Sequence, residues 1–278
     1  MDDNQLTDEM YMNLLKEECT IDTSTMLDYP PTALSYGQKT IQTQKGDVTL
    51  PIPIGTYGNF SFIQAPPKNK KSFFVSLLAS VYLSGQNNFG GDLKGHRHNK
   101  CLIHFDTEQG RWHSQRVFKR VLDMANVDDV GCYQTYALRT IDYKTRIKFI
   151  EHILKENGEK NGVVIIDGIA DFVSYVNNLE ESNLCVQKIM EWSARYDCHI
   201  ITVIHSNWNT DKPTGHLGSF LEKKAETQIQ LELNTVHKDN ITVICKRSRG
   251  YAFDNFSFTI NPFGKPQILG NIYDPIKE

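Results

Sequence analysis

The sequence predicts an α/β fold, a mostly parallel sheet flanked by helices, with antiparallel strands along its C-terminal edge. Three observations predict it. Short β-branched or aromatic runs alternate with helical patterns between position 59 and about position 204. The run Val163-Val164-Ile165-Ile166 is continuously apolar, as a strand covered on both faces must be. The last apolar runs, Thr227–Leu233, Ile241–Cys245 and Phe256–Ile260, follow one another with no helical pattern between them. Strands separated by helices need crossover connections and pair parallel, whereas closely linked strands pair antiparallel.

The elements follow in order. Residues 1–36 read as an N-terminal arm with a short helix, capped by Thr7 and running through Met10, Met12, Leu14 and Leu15. Pro30-Pro31 ends any helix there, and residues 37–278 form one domain. Gly46-Asp47, Pro51, Pro53, Gly55 and Gly58 suit turns and short edge strands over 37–58. Strands are expected at Phe60–Ile63, Cys101–Phe105, Cys132–Leu138, Val163–Ile166 and His199–Ile204. Helices are expected at Ser72–Leu83, Trp112–Met124, 142–157 and 180–196, the first with Phe73, Leu77, Leu78 and Val81 on one side.

Composition bounds the function. With 278 residues, 40% apolar and 23% charged, the chain is ordinary globular material, not a collagen-like or disordered one. A net charge of −3 excludes a protein that coats nucleic acid with its whole surface, so any such contact is local. The six cysteines contain no C-x-x-C pair and lie mostly in apolar runs, which reads as reduced thiols in a cytoplasmic protein. The acidic start Met1-Asp2-Asp3-Asn4-Gln5 is no signal peptide, and no apolar run is long enough to span a membrane.

The chemistry concentrates where strands end. Ala65-Pro66-Pro67-Lys68-Asn69-Lys70-Lys71-Ser72-Phe73 joins the first strand of the alternating series directly to a helix. That is the layout of a phosphate-binding Walker A loop, in which backbone N–H groups and a helix N-terminus wrap phosphates. Lys71 would bridge the outer phosphates and the Ser72 hydroxyl would hold Mg²⁺. Against G-x-x-x-x-G-K-[ST], Ala65 stands for the first glycine and Lys70 for the second, so a basic turn capping a helix is the competing reading. Asp167 ends the apolar run 163–166 in the Walker B manner and would act on the Mg²⁺ shell, or else cap the next turn. Glu108, in Asp106-Thr107-Glu108-Gln109 after the second strand of that series, could orient an attacking water or simply favour a helix N-terminus. His205 ends the fifth strand and could sense a γ-phosphate or pack there. His96, His98, Cys101 and His104 suggest a metal cluster, but Cys101 and His104 are three apart on one strand and face opposite sides.

Taken in order, these motifs resemble those of RecA/DnaB-like ATPases, and most closely the RepA-type P-loop replication ATPases of plasmids, phages and bacterial mobile elements. The stretches "GNFSFIQAPPKNKKSFF", "VVIIDGIADFV", "VIHSN" and "GHLGSFLEKKAE" carry the likeness, which spans about 55–262. The resemblance implies a RecA-like core that binds ATP and Mg²⁺ between subunits of a homo-oligomer, a hexameric ring. It implies ATP hydrolysis coupled to single-stranded DNA binding or translocation, as in a replicative helicase. Lys71 and Ser72 would bind phosphate and Mg²⁺, Asp167 would be the Walker B acid, Glu108 the catalytic carboxylate and His205 the sensor. Lys246 and Arg249, with Arg247 as an alternative, would reach a neighbour's ATP. Trp208, Lys212 and His216, in the polar stretch 206–219, would meet single-stranded DNA. The alternative is a nucleotide-gated oligomeric DNA-binding, loader or scaffold protein with little turnover.

Overall fold

A computed structural model describes residues 8–44, 46–85, 92–126, 132–207, 210, 212–234, 237 and 239–269. The chain forms two units, Met1–Pro30 and Pro31–Glu278. The first carries helix α1 (Asp8–Cys19), whose acidic first turn, Asp8 and Glu9, and basic last turn, Lys16, complement the helix dipole. None of its residues is buried. The second unit begins at Pro31, a little before the boundary expected at 37.

Two sheets build the second unit. The smaller joins β1 (Thr32–Thr43), β2 (Gly46–Thr56) and β4 (Leu93–Gly95) in the order β2-β1-β4, all antiparallel. The span 37–58, expected to hold turns and short strands, is therefore largely one long hairpin. Pro51 and Pro53 are tolerated because β2 is an edge strand, where a missing N–H breaks no ladder.

The larger sheet has nine strands. They are β3 (Phe60–Ala65), β5 (Cys101–Asp106), β6 (Tyr133–Ala137), β7 (Asn161–Asp167), β8 (His199–His205), β9 (Thr227–Leu233), β10 (Ile241–Ser248), β11 (Phe256–Ile260) and β12 (Pro266–Ile268). Their order is β12-β11-β10-β9-β3-β8-β7-β5-β6. From β9 to β6 every pairing is parallel. The antiparallel edge starts at β10, not at β9 as the sequence pattern suggests. The reason is helix α6 (Gly215–Lys224), which begins inside the stretch read as a loop and makes β8-α6-β9 one more crossover.

Helices α2 (Lys71–Ser84) and α3 (Arg111–Ala125) cover one face of this sheet, and α4 (Tyr143–Asn157), α5 (Leu179–Arg195) and α6 cover the other. Alternation along the strands sorts the core. Val163 and Ile165 pack with α2, while Val164 and Ile166 pack with α5. Asp142 caps α4 by accepting from the N–H groups of Lys144 and Thr145, and Asn178 caps α5 at Glu181. Among the described residues, no helix is long and apolar enough to cross a membrane.

Candidate nucleotide site

Parallel pairing brings the carboxyl ends of β3, β8, β7 and β5 to one rim. Ala65 is opposite His205, and Asp106 is opposite Asp167. A crevice beyond the carboxyl ends of such strands is where open α/β sheets bind ligands. The loop from Pro66 to Lys70 leaves β3 and enters α2 directly.

Lys70 has φ 59° and ψ 25°, a left-handed conformation, and Lys68 has φ 67°. Lys70 thus adopts the backbone that the Walker pattern reserves for its second glycine. A side chain there costs about 1–2 kcal/mol. Its ammonium lies 5.7 Å from the centre of the Phe73 ring, whose other neighbour is the Arg120 guanidinium at 4.0 Å. These cations flank the first turn of α2 and stabilise the turn by stacking.

Lys71 turns inward and is buried. Its Nζ donates to the carbonyls of Ala65 at 3.3 Å and Pro66 at 3.2 Å, and to Nδ1 of His205 at 2.9 Å. That donor fixes Nδ1 as an acceptor, so the ring proton sits on Nε2 and points at Glu108 Oε1, 3.3 Å away. Burial lowers the Lys71 pKa, and Glu108 and Asp167 oppose the fall. The His205 hydrogen bond is the main reason that the Glu108 carboxyl lies below its ordinary range.

Ser72 Oγ faces Asp167 Oδ2 at 3.4 Å. Burial, with Asp106 and Glu108 nearby, pushes the Asp167 carboxyl up to about 7. A hydroxyl and a buried carboxylate short of positive charge are what a hard, oxygen-loving divalent cation needs, so the residues fit Mg²⁺.

Asp106, Thr107 and Gly168 form a frame that sequence reading missed. Asp106 Oδ1 accepts from the amides of Glu108 and Gln109, an Asx-type turn that aims Glu108, while its buried Oδ2 has no hydrogen-bond partner among the described residues. Thr107 Oγ1 lies 2.7 Å from Asp171 Oδ2 and 3.0 Å from the Gly168 carbonyl. A Cβ on Gly168, at φ +105°, would come within 2.2 Å of Thr107 Oγ1. The Asp-x-x spacing is the signal that could have found Asp106.

The stretch after His205 is clipped to the site. The amide and hydroxyl of Thr214 both donate to the His205 carbonyl, at 3.0 and 2.8 Å, and Ser206 bridges to Pro213. Lys212 is exposed in that loop, and Trp208 lies outside the described residues. His216 is not a loop residue; it is exposed on the first turn of α6. Gly215 and Gly218 suggest a loop there, but Gly218 is packed against Pro213, where a Cβ would approach within 2.6 Å.

Lys246 and Arg249 are not brought to this rim. Ser248 pairs with Thr227, which pairs with Ser61 near the start of β3. Arg249 donates to the Lys224 carbonyl at 2.6 Å, and its amide to that of Glu226 at 3.0 Å. A strand the length of β3, about 16 Å, separates that end from the phosphate loop. The His96, His98, Cys101 and His104 set also stays apart from it; His104 is enclosed, with Nδ1 3.0 Å from the Tyr133 hydroxyl.

The family model of the AAA domain matches residues 54–211, from the end of β2 to the clipped loop. The chain belongs to the AAA-domain family. A solved structure of a helicase ATPase domain has a similar fold, with a TM-score of 0.56 at 14% identity, over 77% of this chain and 86% of that one. Among curated proteins none matches. The fold is that of a RecA/DnaB-like P-loop ATPase core, and membership of the family makes the chain a nucleotide-binding ATPase at that level.

Proposed function

We propose that the chain is a Mg²⁺-dependent ATPase that works as a homo-oligomeric ring, a hexamer, with ATP between subunits. It couples hydrolysis to binding or moving along single-stranded DNA, as a helicase does, in the cytoplasm and in the replication of a mobile element. The observation that carries the reading is the convergence of Lys71, Ser72, Glu108, Asp167 and His205 on one rim. The solved neighbour of similar fold is itself an ATPase domain, which agrees with it.

In this reading the loop from Ala65 to Phe73 wraps the phosphates with backbone N–H groups, and Lys71 answers the charge of the outer ones. Ser72 and Asp167 hold the metal, which when bound neutralises phosphate charge and orders the oxygens around it. Glu108, held by Asp106 and ionised at neutral pH, orients the attacking water and draws on its proton. His205 reports the outer phosphate to the 206–214 loop, because its ring contacts Lys71 and Glu108 while its carbonyl holds Thr214. Lys212 and Trp208 in that loop, with His216 on α6, meet the nucleic acid. Lys246 and Arg249 serve the ATP of a neighbouring copy, since their own lies a strand length away. The short unit 1–30 packs on another subunit.

The test is phosphate release with and without single-stranded DNA, beside a Lys71→Ala protein. DNA-stimulated turnover lost in the variant supports the reading, and equal background in all four conditions removes it. A nucleotide-gated scaffold is the second reading, favoured by the left-handed Lys70 where glycine is usual. Tight ATP binding without phosphate release would select it.

A further inference from the structure

Half of the β1–β2 hairpin projects beyond the core. Residues 32–37 and 52–56 lie against α2 and the β11 region, whereas 38–40 and 46–50 are exposed. The outer ladder pairs Lys39 with Leu50, Thr40 with Thr49, Ile41 with Val48 and Gln42 with Asp47. Directly opposed residues share a face, so Ile41, Val48 and Leu50 lie on one side, and Thr40, Thr49, Gln42 and Asp47 on the other. The ribbon is amphipathic. Its apolar side is nevertheless in water, with Val48 40% and Leu50 45% exposed. A two-stranded ribbon is at best marginally stable alone in water, and one with an aliphatic face calls for a cover.

The apolar side is continuous with the basic end of β10. Lys39, which shares that side, sets its ammonium 3.8 Å above the ring of Tyr251, two residues past Arg249. Tyr251 is itself half exposed. Ribbon and basic strand end therefore form one surface. The ribbon lies outside the span that matches the AAA-domain model except at 54–56.

We propose that a second copy of this chain covers the apolar face of the ribbon, and that this contact seats Lys246 and Arg249 at the neighbour's phosphate loop. The inference rests on the reading that those cations act in trans. Their distance from their own loop means that only another copy can use them, and a copy that reaches Arg249 must also cover Tyr251 and the ribbon beside it. Aliphatic side chains and one lysine already stacked on an aromatic ring suit a protein surface rather than a row of phosphates.

The test uses the full chain and the double variant Val48→Asp/Leu50→Asp. Sedimentation velocity with Mg²⁺ and ATP should give an oligomer for the unaltered protein and a monomer for the variant. The variant should still bind ATP in calorimetry and melt as a folded protein. If it does not fold, Val48→Thr/Leu50→Thr should still raise the concentration for half-assembly at least ten-fold. Mixing separates the two claims. Lys71→Ala and Arg249→Ala proteins should each be inactive, and their mixture should regain activity. Placing the ribbon changes on the Lys71→Ala copy, which lends the arginine, should cut that recovery at least ten-fold. Assembly and recovery within two-fold of the parent would overturn the ribbon proposal and leave the trans reading intact. Full turnover by a monomer, or no recovery in the parent mixture, would overturn the trans reading and the proposal with it. Loss of DNA binding with assembly unchanged would assign the face to nucleic acid and overturn the proposal too.

Discussion

Asp167→Asn should make the nucleotide-free protein more stable at pH 8, although it removes a residue that the site needs. The carboxyl is buried, close to Asp106 and Glu108, and its pKa rises from 3.8 to about 7 on folding. A group whose folded pKa is raised contributes its stability below the unfolded value and loses it as pH climbs through the folded one. A rise of that size corresponds to about 4 kcal/mol in all, of which about 2.5 kcal/mol falls between pH 5 and pH 8. Asparagine has the same shape, can accept from Ser72 and carries no charge, so it abolishes this slope. Urea unfolding without nucleotide, at pH 5 and pH 8, measures it. The parent should lose about 2.5 kcal/mol more than the variant across that interval. Parallel pH profiles for the two proteins would refute the claim that Asp167 is held short of a cation.

Lys70→Gly should leave stability within about 1 kcal/mol of the parent, because the relieved left-handed strain is offset by glycine's greater freedom when unfolded. Lys70→Val should destabilise by clearly more than that, which thermal melts would resolve. Glu108→Gln should keep nucleotide affinity within a few-fold while cutting turnover about 100-fold or more, read by calorimetry beside phosphate release. Gly55→Ala should destabilise by about 2 kcal/mol or more, since its Cβ would fall 2.0 Å from the ring of His199, which is enclosed. His199→Ala in the same chain should recover part of that loss, and no recovery would show the clash is not the cause.

Much of this was legible because the central strands obey simple rules. β7 and β8 are buried on both faces and read as unbroken apolar runs, and the site residues follow them at their carboxyl ends. Lys71, Ser72, Glu108, Asp167 and His205 were all visible as polar residues ending such runs. What escaped depends on tertiary placement. Pro51 and Pro53 read as strand breakers until β2 is known to be an edge. Gly215 and Gly218 read as loop until Gly218 is seen against Pro213. That misreading hid α6, and with it the parallel direction of β9. Asp106 was masked by its neighbour Glu108, because a side chain that only bonds its own turn leaves a fainter trace than one aimed outward.

The resting position of Lys71 sets the terms on which a ligand enters. Its three internal acceptors, Ala65, Pro66 and His205, already satisfy the ammonium, so an arriving phosphate trades places with them and gains only the difference. Such an exchange favours modest affinity and easy departure, which suits a machine that must empty its site every cycle. It also leaves the displaced imidazole, tied through its own carbonyl to Thr214, as the first part of the chain to notice the guest.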